Sequence, residues 1–213
     1  VREFTKSAAG NPVARVVVDR FEATSPRTRD KAVPLENVYL ILEGSDALFK
    51  TTVFVVSGHY DSMCSDVMDS ACDAPGADDD ASGTTAAIEA SRLIAGKKHR
   101  ATIVLAALAG EEQGLLGGKR LAVWTHDQGF TVGGVLNNDI VGATNGSKDI
   151  RSRVFCEDDF ATPARNLGLW LDEFLGRDAV RLVFHKDRFG RGGDHLPFLE
   201  AGLPAVRFTE PRE

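Results

Sequence analysis

The sequence predicts an α/β fold, a three-layer sandwich in which helices cover a mostly parallel, mixed central sheet. Strand-like and helix-like segments alternate along the chain, as in parallel strands joined by helical crossovers. One segment, residues 102–109, is apolar throughout, which is typical of a strand buried on both faces. With 213 residues, 43% of them hydrophobic and 26% charged, the chain has the size and composition of one globular domain. We therefore expect residues 1–213 to form a single domain.

Short runs rich in valine and aromatic residues predict the other strands. They lie at residues 13–19, 38–42, 52–57, 131–138, 181–185 and 204–208. The first of these strands precede the alternating part of the chain, so they are candidates for an antiparallel edge of the sheet.

Three segments predict helices, at residues 84–95, 115–124 and 163–175. In the first, small or apolar residues recur at helical spacing and Gly96 follows as a stop signal. In the third, Pro163 suits the first helical turn, where its missing N–H is no loss. Residues 76–83, with two glycines and three consecutive aspartates, predict a loop before the first helix.

The charge balance limits the classes of partner. Lys and Arg number 25 against 31 Asp and Glu, a formal charge of −6, which argues against nucleic acid or an anionic membrane surface as the main partner. The longest apolar run is also far shorter than a bilayer-spanning segment. The oligomeric state is left open.

The three cysteines allow two interpretations. Cys64 and Cys72 share one acidic, serine-rich loop and could form a disulfide in an oxidising compartment. Three separate thiols, with Cys156 as the third, is the preferred interpretation, because no Cys-x-x-Cys pair or larger cysteine framework is present.

Acidic and histidine side chains follow several of the predicted strands. They are His59 and Asp61, Asp78 to Asp80, Glu111 and Glu112, Asn138 and Asp139, and Asp194 and His195. Each group alone fits a solvated polar turn. Because the carboxyl ends of parallel strands meet at one edge of a sheet, the groups together favour a metal site. Carboxylate and imidazole donors suit zinc, manganese or cobalt, and the number of carboxylates favours two ions that share one of them.

The same segments resemble the family of co-catalytic zinc aminopeptidases, metallopeptidase family 28, which also contains zinc carboxypeptidases and glutaminyl cyclases. The matching segments, in the family's order, are GHYDS at 58–62, APGADDDASG at 74–83, GEEQGL at 110–115, ND at 138–139 and DHLPF at 194–198. They span nearly the whole chain. The resemblance implies a zinc exopeptidase-like sandwich, two zinc ions, a peptide substrate and a secreted or periplasmic location.

The resemblance also implies a role for each matching residue. His59, Asp79 and Asp139 would ligate one zinc, and Asp79 and Glu112 would ligate the other, with Asp79 as the bridge. Glu111 would be the general base of peptide hydrolysis, and Asp61 would orient His59. Asp194 and His195 would line the substrate pocket.

One feature departs from the family pattern. The family takes the remaining ligand of the second zinc from a histidine after the last core strand, and no histidine follows His195 here. We therefore expect this chain to lack a C-terminal segment of the catalytic domain, and its own activity is open. His195 or His185 as a substitute ligand is the alternative.

Two other functions compete with the aminopeptidase. A glutaminyl cyclase shares the His-Tyr-Asp-Ser segment, whereas the Asp-Asp-Ala-Ser-Gly segment at 79–83 is similar to the peptidases. A peptidase-like domain that only binds would be expected to lose metal ligands. Four of the five expected ligands are present, so the enzyme is favoured.

Overall fold

Eight strands form one mixed sheet in the computed structural model, which describes residues 1–143, 152–156, 162–176, 180–184 and 192–211. The strands are β1 (Ala14–Ala23), β2 (Val33–Leu42), β3 (Thr52–His59), β4 (Thr102–Leu108), β5 (Thr131–Asn138), β6 (Ser152–Cys156), β7 (Val180–Phe184) and β8 (Ala205–Thr209). The helices are α1 (Arg2–Ala8), α2 (Ala81–Ile94), α3 (Leu116–Asp127), α4 (Pro163–Leu175) and the short α5 (Leu196–Glu200), with a 3-10 turn at Pro26–Thr28.

The strand order is β1-β2-β4-β3-β5-β8-β6-β7. The four central strands, β4, β3, β5 and β8, run parallel, while β1 and β2 form an antiparallel edge against β4. Strand β6 is antiparallel to β8 and parallel to β7. The mostly parallel, mixed sheet and the antiparallel first strands confirm the predicted fold class.

Strand β4 is buried on both faces, as its apolar sequence predicts. Its side chains alternate between two cores because successive residues of a strand point to opposite faces. Val104, Ala106 and Leu108 pack toward α3 with Leu121 and Trp124, in a cluster that also holds Tyr39 and Phe198. Leu105 and Ala107 pack on the other face with Phe4 of α1 and Ala95 at the end of α2.

Three elements lie outside the predicted set, namely helices α1 and α5 and strand β6, together with the 3-10 turn at Pro26–Thr28. Helix α1 buries a single residue, Phe4, so its sequence has almost no apolar periodicity. Strand β6 has five residues and begins with Ser and Arg, and its pairing with β7 and β8 stabilises it despite this weak local signal. The last two predicted strands each shift by one residue, from 181–185 to Val180–Phe184 and from 204–208 to Ala205–Thr209. His185 lies outside the described residues.

Cys64 and Cys72 form a disulfide, and Cys156 is a buried free thiol. The preference for three separate thiols is therefore wrong. The loop that carries both cysteines folds back on itself, so that two residues eight positions apart meet, and sequence spacing alone does not encode that closure.

Among the described residues, the longest and most apolar helices still fall short of what a bilayer crossing requires.

Candidate metal centre

The centre lies where β3, β4 and β5 end. These three strands are neighbours and parallel, so the residues that follow them emerge at the same edge of the sheet. His59 is the last residue of β3, Glu111 and Glu112 follow β4, and Asp139 follows β5. The predicted meeting of these groups at one edge is what the fold produces.

His59 is buried, with 1% of its surface exposed, and both ring nitrogens face carboxylates. Its Nε2 lies 3.2 Å from Asp79 Oδ1, 3.9 Å from Asp80 Oδ2 and 4.0 Å from Asp139 Oδ1. Its Nδ1 lies 3.1 Å from the backbone oxygen of Asp61 and 3.5 Å from Asp61 Oδ1. Burial lowers the pKa of His59, but the contacts with Asp61 and Asp79 outweigh burial and raise it above its ordinary value. One nitrogen anchored on a carboxylate and the other directed at further carboxylates is the usual arrangement of a metal-binding histidine.

Asp80 is buried and its oxygens are occupied by backbone N–H groups. Oδ2 accepts the N–H of His59 at 3.0 Å, and Oδ1 accepts those of Gly83 at 2.9 Å and Ile140 at 3.2 Å. The Gly83 bond makes Asp80 the N-cap of α2. Burial, with the Asp139 charge nearby, raises the pKa of Asp80 to about 8. Asp80 therefore ties β3, α2 and the end of β5 together.

Asp79 is in a different situation, although its peptide bond to Asp80 is cis and the two are adjacent. Its side chain is 49% exposed and faces His59 Nε2. Donor atoms of His59, Asp80 and Asp139 lie within 4.8 Å of one another, which makes Asp80 a geometric candidate for a ligand. However, Asp80 would have to give up backbone hydrogen bonds to bind a metal, whereas Asp79 would not. The hydrogen bonds therefore favour Asp79 over Asp80 as the ligand.

Asp61 holds the turn that carries the two glutamates. Its Oδ1 accepts the N–H groups of Gly110 at 2.9 Å and Glu111 at 3.2 Å, and its Oδ2 accepts that of Glu112 at 3.1 Å. Burial acts to raise the pKa of Asp61, but His59 and these N–H groups outweigh burial and lower it. The same carboxylate thus orients His59 and the Glu111–Glu112 backbone.

Asn37 on β2 is a residue that sequence reasoning missed. Its Oδ1 accepts the N–H of Ala109 at 3.0 Å, and its Nδ2 donates to the carbonyl of Gly117 at 3.0 Å. These two residues flank the Glu111–Glu112 turn, so Asn37 holds both ends of that turn. A side chain at position 117 would lie 2.6 Å from the Ala109 oxygen, which explains the glycine. No sequence signal links Asn37 to a turn more than seventy residues away.

Arg207 on β8 was also missed. It is buried and its Nε lies 3.1 Å from Asp139 Oδ2. Oδ1, the other oxygen of Asp139, is the one that faces His59. Arg207 and His59 therefore approach different oxygens of Asp139, and the ion pair with Arg207 restricts the orientation of that carboxylate.

The glutamates lie in an acidic, largely buried environment. Burial, with repulsion from Asp194, raises the pKa of Glu111 to about 9. Burial, with repulsion from Asp79, raises the pKa of Glu112 to about 7. A divalent cation bound among such carboxylates would offset their repulsion and return them to the charged form. A donor set of one imidazole with several carboxylates fits zinc.

Asp194 and His195 are both buried behind the Glu111–Glu112 turn. Asp194 Oδ1 accepts the N–H of Gly118 at 3.0 Å, at the beginning of α3. Burial, with the Arg207 charge nearby, lowers the pKa of His195 to about 3. Asp194 is electrostatically close to Glu111, whereas the charged neighbour of His195 is Arg207. Their role in substrate binding stays a prediction.

Comparisons with a family model and with known proteins point to the same protein family. A family model described as Peptidase family M28 matches residues 37–213. A probable zinc metalloprotease of Leptosphaeria maculans is 42% identical over 207 residues, an alignment that covers 85% of this chain and 48% of that protein. The chain thus spans about half the length of that curated relative.

Two solved structures share the fold. The LapA aminopeptidase of Legionella pneumophila superimposes with a TM-score of 0.70 at 22% identity, over 98% of this chain and 52% of that one. A zinc aminopeptidase from Bacillus subtilis superimposes with a TM-score of 0.64 at 25% identity, over 85% of this chain and 43% of that one.

Proposed function

Because the chain belongs to peptidase family M28, we propose that its metal centre hydrolyses peptide bonds with zinc and that the activity is that of an aminopeptidase. One observation carries the proposal: His59 Nε2 faces Asp79 and Asp139, while Asp61 holds both His59 Nδ1 and the backbone of Glu111 and Glu112. This arrangement supports metal binding and places an unligated carboxylate next to a ligand. The likeness to a zinc aminopeptidase at 25% identity supports the finer assignment.

The residues divide into two ligand groups. His59, Asp79 and Asp139 would hold one zinc, and Asp79 with Glu112 would hold the second. When bound, zinc polarises the scissile carbonyl and makes water a better nucleophile at neutral pH. Asp61 would keep His59 in the tautomer that presents Nε2 to the metal, because the Nδ1 proton is held at Asp61.

Glu111 would be the general base. It is adjacent to the ligand Glu112, so its carboxylate can reach the same water that attacks the carbonyl. It would take a proton from that water at its carboxylate oxygen and then donate the proton to the leaving amine. Asn37 and Asp61 hold the turn that carries Glu111, which would keep the Glu111 carboxylate at a constant position through both proton transfers.

There are two alternatives. One is a glutaminyl cyclase, another enzyme of the same family, and the other is a peptidase-like domain that binds a partner without catalysis. The test incubates the zinc-loaded chain with a leucine-initiated and a glutamine-initiated peptide amide, with and without a chelator. We expect chelator-sensitive release of free leucine. Ammonia release from the glutamine peptide alone would identify a cyclase, and no reaction with either peptide would support the binding domain.

Zinc content gives a further prediction. The first ligand group has three donors. The second has two carboxylates and, within the described part of the chain, no imidazole besides that of His59, which already belongs to the first group. We therefore expect about one tightly bound zinc per chain after dialysis, measured by elemental analysis.

The ligand assignment makes this measurement specific. His59→Ala should abolish the bound zinc, and Glu112→Gln should leave it in place. A content near two zinc ions in the unmodified chain would instead mean that another donor completes the second group, with His195 or His185 as the first residues to test.

A further inference from the structure

A rigid turn carries an exposed arginine close to the metal centre. In the 3-10 turn Pro26–Thr28, the Ser25 hydroxyl accepts the N–H of Thr28 while the Thr28 hydroxyl accepts the N–H of Ser25. The buried Thr28 hydroxyl also lies 2.9 Å from the carbonyl oxygens of Ser25 and Lys31, either of which can accept its single proton. Arg27 lies at the middle of this turn with its side chain exposed. Its backbone is therefore held while its guanidinium is accessible.

The turn packs directly against the loops of the metal centre. The Ser25 hydroxyl donates to the carbonyl of Gln113, the residue after Glu112. The Arg27 Nη2 lies 3.3 Å from Met63 Sδ, two residues after Asp61. Arg27 is thus an exposed cation at the rim of a site that is rich in carboxylates.

Arg27 differs from Arg29, the residue that directly follows the turn. Arg29 is paired with Asp66 at 2.6 Å, so its charge is already compensated. Within the described ranges, Arg27 has no carboxylate partner. Its charge is available to a ligand, and a guanidinium is well suited to a carboxylate because it can donate two parallel hydrogen bonds.

We propose that Arg27 is a specificity-determining residue that binds a carboxylate of the peptide substrate. The inference rests on the proposed peptidase function and adds a substrate class to it. The carboxylates around His59 outnumber the two positive charges of one zinc ion, so the zinc-loaded site would still attract the positive amino terminus of a peptide and repel negative groups. Arg27 would offset that repulsion at the rim. The carboxylate has two possible sources, the free C-terminus of a dipeptide and an acidic side chain after the scissile bond.

The test measures peptide binding in a chain whose turnover is slowed. Calorimetry on the zinc-loaded Glu111→Gln chain would compare leucyl-alanine with leucyl-alanine amide, and leucyl-glutamate amide with leucyl-glutamine amide. The first pair reports on the C-terminus and the second on the side chain. We expect the charged member of at least one pair to bind about threefold to tenfold more tightly, since the contact is charged but solvent-exposed. Added salt should reduce the difference.

Two added substitutions test the residue itself. Arg27→Gln should remove the difference between charged and neutral peptides, whereas Arg15→Gln, at an exposed arginine on β1, should preserve it. Equal ratios with and without Arg27, or no detectable binding of any of the four peptides, would overturn the proposal.

Hydrolysis by the unmodified chain, followed in parallel, separates this inference from the proposed function. Arg27-dependent binding without hydrolysis would count against the peptidase and leave carboxylate recognition standing. Hydrolysis of all four peptides with no dependence on Arg27 would refute the role of Arg27 alone.

Discussion

Glu111→Gln is expected to lower kcat by a factor of about 10² or more and to leave zinc bound. Glutamine has nearly the same shape as glutamate, but its amide cannot accept the proton of the attacking water. The backbone bond from Glu111 N–H to Asp61 does not involve the side chain, so the turn should keep its conformation. Steady-state kinetics with a leucine peptide, together with zinc analysis of the same sample, would measure both effects.

The same Glu-to-Gln change at another position serves as the control. Glu43→Gln changes an exposed glutamate beyond the end of β2, and kcat should be unaffected. Unchanged kcat in Glu111→Gln would remove Glu111 as the base. Loss of zinc in that variant would assign it to the metal ligands instead.

Asp79→Asn and Asp80→Asn are expected to have opposite effects on metal binding and stability. Asp79 faces His59 Nε2 and is partly exposed, so its substitution should lose zinc and activity with little change in folding. The loss of affinity should exceed the roughly 10–100-fold that removal of a residue behind a ligand costs, because Asp79 would be a ligand of both ions. Asp80 binds three backbone N–H groups, so its substitution should lower the free energy of unfolding.

The expected cost of Asp80→Asn is about 1–3 kcal/mol, because the asparagine amide keeps only one acceptor oxygen and leaves a buried backbone N–H without an acceptor. Chemical denaturation would measure it, and elemental analysis would measure zinc in both variants. The assignment of the two aspartates reverses if Asp80→Asn loses zinc while it stays folded and Asp79→Asn retains it.

Much of the fold could be predicted because its strongest signals are local. The run at 102–109 is apolar along its whole length, and β4 is buried on both faces. The helix predicted at 84–95 corresponds to α2, whose buried residues include Ala87 and Ser91. Helix α1 and strand β6 lacked such signals because they depend on contacts with elements distant in the sequence.

The candidate site, like the fold, has contacts that the sequence predicts and contacts that it does not. His59 and Asp61 could be paired from the sequence because alternate residues of an extended chain project to the same side, and the structure brings them into contact. Cys64 and Cys72 could not be paired with the same confidence, because their contact depends on how a loop closes.

The sequence by itself therefore determines which chemical groups follow the ends of the strands. Strand and helix periodicity depends on neighbouring residues, and so does the adjacency of Glu111 and Glu112. Only the tertiary structure decides which of those groups face the metal centre and which hold the backbone. Asp79 and Asp80 are adjacent, yet Asp80 is taken up by the N–H groups of three separate segments and Asp79 is left facing His59. Asn37 and Arg207 reach the site from β2 and β8. Such contacts follow from strand order and register, because hydrogen bonds join groups that are near in space at whatever separation along the chain.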